Sequence, residues 1–114
     1  MRALDQVRLK ENDRRAVERA AAILRERFPV DRVVLFGSKA RGDDDAESDI
    51  DLLILTSRPV SHAERSRMTE ALFGLQLELE VVISKFVVPR AQWEHGLYQV
   101  MPIRREIERD GVAA

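Results

Sequence analysis

The chain has 114 residues, no cysteine and a formal net charge of -1 at pH 7. That length fits one domain with a modest core. It leaves no place for disulfides or thiolate metal sites, and the charge gives no global pull toward nucleic acid or anionic membrane. With 45% hydrophobic and 34% charged residues and no long apolar run, the expectation is a cytoplasmic globular protein spanning residues 1–114 as a single domain, without a membrane partner.

The first dozen residues are mixed and charged and read as a loose lead-in or an early helical turn. From Asp13, read as an N-cap, Arg14 to Phe28 follows a helical pattern. Val17, Ala21, Leu24 and Phe28 fall on one face, and Pro29 ends the run. Val33-Val34-Leu35-Phe36 predicts a buried strand that stops at Gly37, and Ser38 to Arg41 begins a short helix. After the polar turn Gly42-Asp43-Asp44-Asp45, Ile50 to Leu55 predicts a second strand. Ser61 with Glu64 fits a capping box, and Met68, Ala71, Leu72 and Leu75 form the apolar stripe of the helix that follows.

Leu77 to Ile83 alternates and then turns wholly apolar, which predicts a third strand. Pro89 suits the start of a helix over Arg90 to His95, and Pro102 the start of a last one ending at Gly111. The order helix, strand, strand, helix, strand, helix, helix describes a small α/β domain with helices packed on a sheet. The link between the first two strands is too short for a ready parallel crossover.

Two segments can carry chemistry. On a strand, Asp49 and Asp51 share one face about 7 Å apart along the chain. Leu53 and Leu55 continue that face into the interior. Two carboxylates at the mouth of a buried face repel each other and lose hydration, a conflict that a divalent cation removes. Mg2+ takes oxygen ligands of this kind together with substrate phosphates, and a pair of metals can serve both the attacking and the leaving oxygen.

Upstream, Gly37 permits a turn with close approach of backbone to a ligand, and Ser38 opening a helix would present N–H groups and a hydroxyl to an anion. Arg41 could add charge-assisted bonds to a phosphate. Lys39 could do the same or face solvent. Glu78 and Glu80 share a face of the expected third strand. Glu80 is the preferred third acid because apolar residues follow it, as they follow Asp51. His62 and His95 are isolated and expected at the surface. Phe86, Trp93, Leu97 and Tyr98 are expected to pack in the core, any exposed subset forming a protein-binding patch.

Gly37-Ser38, ten intervening residues, then Asp49-Ile50-Asp51 resembles the signature of the DNA polymerase beta-like nucleotidyltransferase superfamily. The longer string Leu35-Phe36-Gly37-Ser38-Lys39-Ala40-Arg41-Gly42 through Ser48-Asp49-Ile50-Asp51-Leu52 is similar to its minimal nucleotidyltransferases, as is the closing Pro102 to Val112. The resemblance implies a small nucleotidyltransferase fold, a short mixed sheet with flanking helices. It places the triphosphate of ATP at Gly37 and Ser38 and Mg2+ at Asp49 and Asp51. Glu80 stands for a third acid that is commonly aspartate.

The implied reaction is transfer of AMP from ATP to a tyrosine hydroxyl of a HEPN-domain ribonuclease toxin, so that the chain acts as its antitoxin. Two alternatives go with it: neutralisation of the partner by binding alone, or nucleotidyl transfer to a small molecule. An oligomer is compatible with this reading, and nucleic acid is not expected as a direct substrate.

Overall fold

Two apolar strands, Val30–Phe36 (β2) and Ile50–Thr56 (β3), lie antiparallel at the centre of the sheet in the computed structural model, which describes residues 1–45 and 47–114. Their side chains alternate between the two faces. Val33, Leu35, Leu52 and Ile54 point to one side and are almost fully buried. Val34, Leu53 and Leu55 point to the other and are buried there too. Both faces therefore need cover.

The first face is covered by the helices Glu11–Arg27 (α1) and His62–Leu79 (α3). On α1 the buried stripe Ala16, Val17, Ala20, Ala21 and Leu24 is rich in alanine, so the helix can approach the sheet closely. Acids in its first turn and Arg25 and Arg27 in its last complement the helix dipole. The α3 stripe is Met68, Leu72, Leu75 and Leu79. Its capping box is present: the Glu64 N–H donates to Ser61 Oγ at 3.1 Å, and the Ser61 N–H donates to Glu64 Oε1 at 3.0 Å.

The second face is covered by the helices Arg90–His95 (α4) and Pro102–Asp110 (α5), which supply Trp93 and Ile107. The Phe86, Trp93 and Tyr98 rings pack there, the Phe86–Tyr98 pair edge to face at 5.6 Å.

A short helix, Gly37–Arg41 (α2), follows β2 without a loop. The sheet is completed by Arg2–Ala3 (β1), Ile83–Pro89 (β4) and Val112–Ala113 (β5), in the order β1-β5-β2-β3-β4. Pairing is parallel for β3 with β4 and for β1 with β5, and antiparallel elsewhere, so the sheet is mixed. None of the described helices is long and apolar enough to cross a membrane.

Three expectations are corrected. Leu77 to Ile83 is not a strand: α3 continues to Leu79, and β4 begins at Ile83. The sequence Leu75, Leu77, Leu79, Val81 imitates a two-residue period, yet Leu77 lies on the solvent side of the helix and is 64% exposed. The first dozen residues are not a loose lead-in, although they do hold the alternative, an early helical turn at Leu4–Gln6. β1 pairs with β5, Leu4 and Val7 are buried, and Arg2 donates to the carbonyls of Ala40 at 3.0 Å and Asp110 at 2.7 Å. Asp13 is no N-cap but a buried residue within the first turns of α1.

Candidate functional site

The aspartate pair and the glycine turn meet at one end of the central strands. Asp51 pairs in register with Phe36 of β2, so its side chain stands beside the start of α2. Gly37 has φ +76°, a conformation that L side chains rarely adopt. A Cβ at Gly37 would lie 2.3 Å from Asp51 Oδ2. Glycine is therefore favoured twice over, by the turn and by the carboxylate that a side chain here would push aside.

Asp51 is half-buried, whereas Asp49 is exposed just before β3 begins. Burial, and after it the charge of Asp49, hold the Asp51 carboxyl above its ordinary pKa, while Arg41 pulls it down. The sheet thus holds a carboxylate pair whose full ionisation is opposed unless positive charge arrives. These are hard oxygen donors of the kind Mg2+ takes together with phosphate oxygens, so the residues present fit such an ion. At the start of α2 the backbone N–H groups lack intrahelical acceptors, which suits a phosphate. Arg41, at the other end of this helix, donates to Asp43 at 3.2 Å and lines a hollow of about 90 Å³ with Phe36, Gly37, Glu106, Ile107 and Asp110.

Lys39 does neither of the things expected of it. Its side chain is 4% exposed, and Nζ donates to Asp13 Oδ2 at 2.9 Å and Asp44 Oδ2 at 3.2 Å. Burial alone would lower the ammonium pKa, but bonds to Asp13 and then Asp44 outweigh it and hold it above the ordinary value. Lys39 thereby pins α2 to α1 and to the loop that leads toward the aspartates. Sequence reasoning missed this pair because the partners lie 26 residues apart with no shared periodicity.

The proposed third acid does not join the site. Glu78 lies on α3 and is bonded to Arg19, which holds its carboxyl below the ordinary range. Glu80 caps α3 in the left-handed region, with φ 54° and ψ 48°. It lines a cavity of about 450 Å³ with Asn12, Asp13, Lys39, Ser48 and Ile50, on the face of β3 that Ile50 occupies and Asp51 does not. The β4 residue in register with Asp51 is Ser84. Among the described residues, no three histidines or acids gather as a metal-binding group. His62 and His95 are exposed, as expected.

Residues 17–112 match the family of nucleotidyltransferase domains. A candidate protein adenylyltransferase of Methanocaldococcus jannaschii is 37% identical over 67 residues, which span 59% of this chain and 66% of that protein, just under two thirds of its length. The fold is similar to that of a candidate minimal nucleotidyltransferase of solved structure, with a TM-score of 0.59 and 24% identity over 96% of this chain and 94% of the other. It is also similar to the crystal structure of a toxin–antitoxin with AMP-PNP, with a TM-score of 0.58 and 19% identity over 92% of this chain and 72% of the other.

Proposed function

This chain belongs to the nucleotidyltransferase domain family, and we propose that it transfers AMP from ATP to a tyrosine hydroxyl of a partner protein. The partner in this reading is a HEPN-domain ribonuclease toxin, which the modification silences. Residues 1–114 act as a single minimal domain in the cytoplasm, where ATP is available. Carrying the reading is the contact between Gly37 and Asp51, where only a glycine leaves room for the carboxylate. It supports reading the glycine turn and the acid pair as parts of one site.

In the proposed reaction, Gly37 and Ser38 hold the β and γ phosphates through backbone N–H groups, and Arg41 adds charge at the far end of α2. Asp49 and Asp51 would hold Mg2+, which when bound neutralises phosphate charge and polarises the α phosphate. The acceptor oxygen forms a bond to the α phosphorus as the bond to the β-phosphate oxygen breaks. Pyrophosphate leaves, and the hydroxyl proton passes to water. Positioning and charge neutralisation supply the acceleration.

The relatives support the chemistry in part. One is named for protein adenylylation, and a structural neighbour is a toxin–antitoxin crystallised with AMP-PNP. A second reading, neutralisation by occlusion, draws on the turn between α4 and α5. Leu97 and Val100 there are 74% and 78% exposed, beside Tyr98, which packs on the same sheet face as Leu53. Cells expressing the partner toxin separate the two readings. Catalysis requires that Asp49→Asn/Asp51→Asn lose rescue while still binding the toxin, whereas full rescue by that variant would establish occlusion instead.

A further inference from the structure

The register of the two parallel strands bears on how many cations the site can hold. Ile50 pairs with Ile83, Asp51 with Ser84 and Leu53 with Phe86. Paired residues on neighbouring strands, about 4.8 Å apart, point to the same face. The packing agrees: Ile83 joins the core beneath α1 and α3 with Ile50, and Phe86 joins the opposite core with Leu53. Ser84 therefore stands beside Asp51, on its face, and is exposed.

The preceding residue of the same parity, Val82, is apolar and 59% exposed, and its carbonyl accepts from the Ile50 N–H at 2.8 Å. On the other flank of Asp51 is Phe36. The α5 acids Glu106 and Asp110 line the hollow at Gly37, yet no three-acid group forms among the described residues.

Two divalent ions a few ångströms apart must share their ligands, and beyond the phosphates the described residues of this site offer them only a pair of carboxylates. One ion, by contrast, is satisfied by one or two carboxylates and the substrate phosphates. We propose that Ser84 fills the third-ligand position with a neutral hydroxyl, so that this chain holds one divalent cation with its nucleotide rather than two. The inference rests on the proposed nucleotide site and specifies its metal content. Ser84 contributes a hydrogen-bonding group beside Asp51, and the short acidic set limits the site to the ion that accompanies the phosphates.

The test is Mn2+ binding to the full chain in saturating AMP-PNP, with free Mn2+ read from its electron paramagnetic resonance signal and retained AMP-PNP measured by equilibrium dialysis. Wild type and Ser84→Ala are expected to retain one Mn2+ per bound AMP-PNP. Ser84→Asp, which places a carboxylate on the exposed position without disturbing a core, is expected to retain two, with an unchanged circular dichroism spectrum. Two Mn2+ per AMP-PNP in wild type would overturn the inference while leaving the nucleotide site intact. A folded Ser84→Asp that still holds one would overturn the placement of Ser84. Failure of wild type to retain AMP-PNP with Mn2+ would overturn the proposed reaction and this inference together, an outcome distinct from either of the others.

Discussion

Gly37 and Gly42 both hold positive φ, +76° and +82°, yet a side chain meets very different surroundings at each. An alanine at either position adopts the left-handed region at a cost of about 1–2 kcal/mol. At Gly42 the added methyl finds nothing within 4 Å. At Gly37 it would sit 2.3 Å from Asp51 Oδ2, 3.2 Å from Cγ and 3.4 Å from Cβ. Carbon–oxygen contact needs roughly 1 Å more than the shortest of these, so the carboxylate must swing away. A displacement of that size at a reacting centre costs about 100-fold in rate, or about 2.7 kcal/mol of barrier.

Gly37→Ala and Gly42→Ala should therefore lose similar stability in urea denaturation. Gly37→Ala alone should lose about two orders of magnitude in AMP transfer. Mn2+-dependent nucleotide binding should weaken in the same variant only. Comparable transfer by the two variants, whether both active or both dead, would refute the argument that Gly37 makes room for Asp51.

Four further outcomes follow from the geometry. Lys39→Met leaves Asp13, 7% exposed, without its cation and should destabilise the fold by about 3 kcal/mol in urea. Because the pair raises the ammonium pKa, its contribution is complete below the unfolded value and fades as pH rises through the folded one. A loss indistinguishable from that of an exposed lysine would contradict the assignment.

Ser61→Ala should cost about 1 kcal/mol through the lost cap of α3. Its partner Glu64, held by Arg58 first and by the Ser61 N–H second, titrates at about 2 instead of 4.5. A lowered carboxylate stabilises above its unfolded pKa, so the melting difference between wild type and Glu64→Gln should shrink as pH falls from 4.5 toward 2, and a difference independent of pH would be inconsistent with the pairing. Leu97→Asp/Val100→Asp should weaken binding of the partner protein in a pull-down without lowering the melting temperature. Unchanged binding would remove this turn from the interface.

Much of this architecture is legible in the chain because local signals and tertiary packing agree. The run Val33 to Phe36 ending at Gly37, the capping box at Ser61 and Pro102 at the head of α5 each mark an element that forms. The misreading at Leu77 has a physical origin. The outward face of α3 carries Phe73 and Leu77, both more than half exposed, so its apolar residues surround the helix and blur the 3.6-residue period. A leucine at every second position then passes for a strand. With that strand displaced, Glu80 moved from the neighbourhood of Asp51 to a helix cap, and Ser84 took the register position. Gly37, Asp49 and Asp51 were accessible from spacing because they lie on one short connection. Lys39 with Asp13, and Ser84 with Asp51, were not, because each pair forms only after distant elements pack.

The most direct test of nucleotidyl transfer uses ATP labelled separately at the α and the γ phosphate, incubated with the chain, its partner toxin and Mg2+. The toxin is expected to become labelled from the α position and not from the γ position, and Asp49→Asn/Asp51→Asn is expected to abolish the transfer. Label arriving from the γ phosphate, or undiminished α-label transfer by the double variant, would contradict it.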